Sequence, residues 1–175
     1  MQYMDSDLME CVNRLRNINL DTNDGMPQEL FLLISGLVPL ANVDLLITNS
    51  KNQILLIKRN DPWYQKSWHI PGGCMHYGEE FLHCVQATAK RELGTRVNVE
   101  PEPIAIRNVI RGVDEQKAYP RERGHNVAIL FSCKVPDNWS IDNGVLTEDD
   151  DGYAAWFDYL PSDFMDIQHV YDDVL

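Results

Sequence analysis

Apolar residues first recur at helical spacing over residues 5–16, where Leu8, Val12 and Leu15 fall on one face, and this predicts an amphipathic helix. The run Asp-Thr-Asn-Asp-Gly-Met-Pro at 21–27 breaks it with turn formers. A second short helix is predicted over 27–35. Two strand-like apolar runs follow, 43–48 and 53–59, on either side of the polar turn 49–52, and they read as an antiparallel hairpin. In that register Asp44 opposes Ile57, which sets Arg59 diagonal to Asp44 on the same face, ~7–8 Å away and within an arginine's reach. Residues 68–73 read as a short strand ending in a glycine turn. The clearest helix spans 79–93: Leu82, Val85, Ala89 and Leu93 form its stripe, and Gly94 supplies the stop. Strands are predicted at 103–111, 125–135 and 154–160, and a last helix at 161–175. Mixed strands around one central helix, with a further helix after them, imply an α/β layered domain. No internal repeat or low-complexity linker divides the chain, so residues 27–175 are expected to form one domain and residues 1–26 a helical extension.

Composition narrows the class without changing this picture. A chain of 175 residues can bury a real core. The N-terminal stretch is acidic and lacks an uninterrupted apolar core, so it does not read as a secretory signal. No apolar run approaches the ~18 residues of a membrane span. Cys11, Cys74, Cys84 and Cys133 form no C-x-x-C pair and are too few for a disulfide scaffold, so a reduced, cytoplasmic protein is expected. The net charge of −12 is unevenly placed: residues 135–175 hold 11 Asp and Glu and no Lys or Arg. Such a surface repels a polyanion, so nucleic acid is not an expected partner. A small anion can still be held by the more evenly charged body, above all through a divalent cation.

The chemistry concentrates between Pro71 and Gly94. A glycine turn at Gly72–Gly73 lets backbone approach a ligand, and the helix behind it presents Thr88, Arg91 and Glu92 at i, i+3 and i+4 on one face. Gly73, Glu79, Glu92 and Gly94 keep the intervals of the Nudix box, and the segment resembles that box in reduced form. Ala87 stands where the pattern has Arg, and Thr88 and Arg91 stand where it has Glu, so one of three carboxylates remains. The flanking segment 43–73 resembles the GDP-mannose mannosyl hydrolases, a divergent Nudix branch that also has a single strong carboxylate where Glu92 falls.

This resemblance implies a Nudix-type α/β/α sandwich with a mixed central sheet. It implies Mg²⁺ (or Mn²⁺) held by the Gly73 carbonyl, Glu92 and Asp150, a small-molecule nucleotide or nucleotide-sugar as partner, and a homodimer. Asp44 and Arg59 fall on positions that lie near the diphosphate and assist departure of the leaving group, and His125 on one that contacts the diphosphate. Counted back from Trp156, the family's glutamine metal ligand and histidine base become Asp150 and Asp151. Asp151 is the base this implies, although Asp (reference pKa about 3.9) is a weaker base than His (about 6.5). His69, between Trp68 and Ile70, reads as structural. The expected reaction is Mg-dependent hydrolysis of a nucleoside-diphosphate sugar, GDP-mannose-like, releasing nucleoside diphosphate and sugar. Cleavage of the diphosphate linkage is the alternative, and a non-catalytic nucleotide-binding module is a third reading, motivated by Thr88, Arg91 and the absent histidine.

Overall fold

The turn after the first strand decides how the sheets are laid out. In this computed structural model, which describes residues 6–17, 26–61, 64–111 and 122–175, β1 (Leu40–Ile47) and β2 (Ile54–Asp61) meet at one antiparallel bridge, Thr48 to Ile54. Gln53 belongs to the turn: its backbone N–H donates to Asn49 Oδ1 at 3.0 Å, and Asn52 takes a left-handed φ of 61°. The loop is therefore one residue longer than the polar run 49–52. Continued from the Thr48–Ile54 bridge, the register would set Asp44 opposite Lys58, and a slip of one residue reverses which face each side chain occupies. The expected pairing of Asp44 with Ile57, with Arg59 on the same face, is thus overturned. Beyond the bridge the two strands part into separate sheets.

One sheet has the order β4 (Gly72–Cys74), β1, β7 (His125–Lys134), with β5 (Asn98–Val99) and β6 (Ala105–Ile110) both on the far side of β7. Its β1–β7 pair is parallel and the others are antiparallel, so the sheet is mixed, as expected. The other sheet is antiparallel, in the order β3 (Gln65–His69), β2, β8 (Ala154–Phe157). The strand expected over 68–73 is divided between them. Pro71 cannot donate to a ladder, and the chain crosses there from one sheet to the other.

Strands buried on both faces read as continuous apolar runs, which explains β1 and β2. Val43, Leu45, Ile47, Leu55 and Ile57 enter one core with Cys84, Val85 and Ala89 of α3 (Phe81–Leu93). Leu46 and Leu56 enter a second core with Trp68, Ile70, Phe164 and Tyr171. Within α3 the buried positions are Cys84, Val85, Thr88 and Ala89, while Leu82 is exposed, so the stripe is rotated from the expected one. Gly94 closes the helix with a left-handed φ of 68° and its N–H on Lys90 O at 3.1 Å.

The helix expected over 161–175 is replaced by a short 3-10 turn, Asp166–Tyr171. Trp68 N donates to Asp163 O (2.9 Å) and Met165 N to Trp68 O (2.8 Å), which holds 163–165 extended against β3 and leaves little chain for a helix. At the other end, α1 (Ser6–Arg16) buries none of its residues, and Leu8 is exposed. In α2 (Gln28–Ser35), Ser35 is buried and accepts the N–H of Arg123 at 2.9 Å. No helix of the described residues is long and apolar enough to cross a membrane.

Candidate active site

The parting of β1 and β2 leaves a cavity of about 460 Å³, within the range of small-molecule sites. It is lined by parts of both sheets, the end of α3 and the C-terminal turn. Asp44, Arg59, Gly73, Glu92 and Asp151 all line it; Asp150 and His125 do not.

Asp44 sits on β1 with its carboxylate buried, and Tyr171 Oη donates to it at 2.7 Å. Gly72 makes this placement possible, because a Cβ there would collide with Asp44 Oδ1 and lie 3.1 Å from Val43 O. Burial pushes the Asp44 carboxyl up to about 6, against the opposing pull of the Tyr171 hydrogen bond. The same burial and the neighbouring carboxylate push the Tyr171 phenol well above its ordinary value.

Arg59, on β2, pairs with Asp61, so the partnership expected between Arg59 and Asp44 is not formed. The Arg59 guanidinium lies over the Tyr64 ring at 4.7 Å from its centroid. Arg111 and Arg123 approach the same ring at 4.9 and 5.6 Å, and Arg123 also lies 5.3 Å from the Phe31 ring. Aromatic faces attract guanidinium groups, and here they gather three of them in a strongly acidic chain. Of the three, Arg59 and Arg123 line the cavity.

The box helix brings a further guanidinium. Arg91 Nε donates to Glu92 Oε1 at 2.9 Å and Arg91 Nη2 to the Gly72 carbonyl at 3.0 Å. A Cβ at Gly73 would lie 2.5 Å from Thr88 Oγ1 and 3.0 Å from Arg91 Nη2. Thr88 and Arg91, which stand where the box pattern has Glu, therefore both close over the glycine turn.

The expected metal ligands do not come together. Asp150 is exposed, and its carboxylate accepts the N–H and hydroxyl of Thr147, both at 2.7 Å, bonds that hold it below the ordinary carboxylate range. Glu92 is already partnered by Arg91. Among the described residues no three His, Cys, Asp or Glu side chains converge as a metal cage. Mg²⁺ asks for near-octahedral oxygen ligation, and a glycine turn whose neighbouring carboxylates Glu92 and Asp44 are already held by Arg91 and Tyr171, with the Arg91 guanidinium beside it, does not fit it.

Asp151 Oδ1 accepts the Asn60 N–H at 2.8 Å, and the next residue, Gly152 (φ 87°), donates its N–H to Lys58 O at 2.9 Å. Both bonds tie the acidic turn to β2 and set Asp151 at the cavity. His69, which the sequence presents as structural, also lines it. Its Nδ1–H donates to Ile70 O at 2.8 Å, which leaves Nε2 as the free lone pair. Burial, reinforced by Arg59, lowers His69 to about 4, so the ring is neutral at ordinary pH. His125 is engaged elsewhere, its Nε2 donating to Asn108 Oδ1 at 2.6 Å. Asn42 Oδ1 is buried at the cavity without a hydrogen-bond partner.

Several site residues escaped the sequence reading. Arg91 had a signal, since it reverses the charge of a box position. Arg123, His69 and Tyr171 belong to no motif, and only the fold brings them to the cavity.

Comparison with known proteins supports this picture of the fold. A Nudix domain family model matches residues 38–164. The low-salt glycan biosynthesis protein Agl8 of Haloferax volcanii is 31% identical over 118 residues, covering 65% of this chain and 70% of Agl8. The MutT Nudix hydrolase of Burkholderia pseudomallei superposes with a TM-score of 0.58 at 22% identity, covering 79% of this chain and 99% of that one. The MutT protein of Methanosarcina mazei superposes with a TM-score of 0.51 at 20% identity, covering 77% and 94%. The chain belongs to the Nudix family, hydrolases of nucleotide-derived small molecules that generally work with a divalent metal ion.

Proposed function

We propose that this chain hydrolyses a nucleoside-diphosphate sugar, GDP-mannose-like, at the sugar's anomeric carbon, releasing nucleoside diphosphate and free sugar. One observation carries the reading: the cavity is lined by Arg59, Arg91 and Arg123 together with the separate carboxylate of Asp151, while the box helix keeps only Glu92 of its carboxylates. Cleavage at carbon expels a diphosphate dianion or trianion, and fixed guanidinium groups stabilise the charge that develops on it. Asp61 holds Arg59 for that task. Asp151, anchored through Oδ1, accepts the proton of the attacking water, as carboxylates do in inverting glycosidases. Asp44, on the β1 side of the cavity, contacts the substrate. The Haloferax volcanii relative is named for glycan biosynthesis, which is compatible with a sugar-linked nucleotide.

The test is a nucleotide-sugar panel in ¹⁸O-water, with and without Mg²⁺, analysed for both products. Nucleoside diphosphate plus labelled sugar is the expected result. Nucleoside monophosphate plus sugar phosphate, with the label on phosphorus, sinks the proposal in favour of pyrophosphate cleavage.

A further inference from the structure

We infer that the Arg91 guanidinium takes the place of a divalent metal at the glycine turn, so that the cavity binds a diphosphate without one. The inference rests on the proposal that this cavity is a diphosphate site. The family's box implies a carboxylate at position 91 and a bound cation beside it, and this chain supplies the cation as a side chain. Arg91 bridges the carboxylate kept from the box, Glu92, and the glycine turn, through the Gly72 carbonyl. Its Nη2 lies 3.0 Å from where a Gly73 Cβ would be, so it occupies the space over that turn. The second lost carboxylate, Thr88, is buried there with a neutral hydroxyl. The residue expected to complete a metal site, Asp150, is occupied by Thr147 and lies off the cavity.

Charge makes the exchange consistent. A dication at the glycine turn would meet a like charge at Arg91, and the carboxylates beside that turn are already held, Glu92 by Arg91 and Asp44 by Tyr171. A phosphate would instead meet three guanidinium groups on the same cavity, those of Arg59, Arg91 and Arg123. Guanidinium forks suit phosphate oxygens, and unlike a metal they are not removed by chelators.

Two binding experiments on the full chain test this, with inorganic pyrophosphate and Mn²⁺ as the probes. Calorimetry in EDTA is expected to show pyrophosphate binding, weakened about tenfold or more in Arg91→Gln. Mn²⁺ titration followed by electron paramagnetic resonance is expected to show no Glu92-dependent site in the wild type and a new one in Arg91→Glu, lost again when Glu92→Gln is added. Three results overturn the inference: pyrophosphate binding that needs a divalent ion or is absent altogether, an unchanged affinity in Arg91→Gln, or Mn²⁺ binding by the wild type that Glu92→Gln removes. None of these readouts depends on which bond is cleaved. Phosphorus-labelled products would end the proposed reaction and leave a metal-free diphosphate site standing, and a metal requirement for pyrophosphate would do the reverse.

Discussion

The phenol of Tyr171 donates to the Asp44 carboxylate at 2.7 Å, and so joins the C-terminal turn to β1 inside the cavity wall. Both side chains are buried. Removing the hydroxyl in Tyr171→Phe leaves the carboxylate without that donor, which costs about 1–3 kcal/mol. The loss should be larger above pH 6, where Asp44 is ionised, than at pH 5. Urea unfolding at the two pH values measures it; equal midpoints for mutant and wild type would show that the bond contributes nothing.

Asp44 and His69 oppose each other in the acid range. Asp44 is raised from 3.8 to about 6, so between those values the folded state holds a proton that the unfolded chain has lost, and stability falls as pH rises. His69 is lowered from 6.5 to about 4, so the unfolded chain holds the extra proton, and stability rises with pH over that interval. Each effect amounts to about 3 kcal/mol, and in the wild type they largely cancel. Asp44→Asn should unmask a stability that climbs from pH 4 to 6.5, and His69→Gln one that declines from pH 4 to 6. Slopes of the opposite sign in urea titrations would refute the assignment.

The two adjacent aspartates are expected to separate cleanly. Asp151→Asn should lower turnover by about 100-fold with little change in melting temperature, since the amide oxygen can still accept the Asn60 N–H while the base is lost. Asp150→Ala should leave turnover near wild type, because its carboxylate only closes the Thr147 turn. Steady-state kinetics on the two variants decides, and a larger loss from Asp150 would reverse their roles.

Gly73→Ala forces a Cβ to within 2.5 Å of Thr88 Oγ1, a contact that overpacking penalises by about 1–3 kcal/mol. Thr88→Ala removes that oxygen, so the double variant should recover part of the loss. A thermodynamic cycle with no coupling would mean that the turn moves as a unit.

Deleting residues 1–26 should leave the unfolding midpoint and turnover close to those of the full chain, because α1 buries none of its residues. A clear drop in either would assign that extension a part in the domain.

Much of this fold can be read from the chain because its strands and α3 carry strong local patterns. The limits have local causes too. Gln53 stands between the polar run 49–52 and an apolar strand and can be counted with either, yet its place in the loop shifts the β1–β2 register by one residue. Pro71 marks the division of 68–73 between two sheets, but a sequence does not show which sheet each half joins. The box motif and its spacing identify Gly73 and Glu92 at the cavity. Tyr171, Arg123 and His69 reach it only through long-range packing, which leaves no periodic trace.

The divergence of β1 and β2 has a consequence for specificity. Asp44 rides on one sheet and Arg59 on the other, and beyond the Thr48–Ile54 bridge no ladder fixes their separation. That separation is set by how Leu45, Ile47, Leu55 and Ile57 pack together and against Val85 and Ala89. The gauge of the cavity is thus a property of core volume. A methylene added or removed several residues from any ligand can widen or narrow the opening, so substrate choice in this chain is open to evolution through its interior as well as through the residues that line the site.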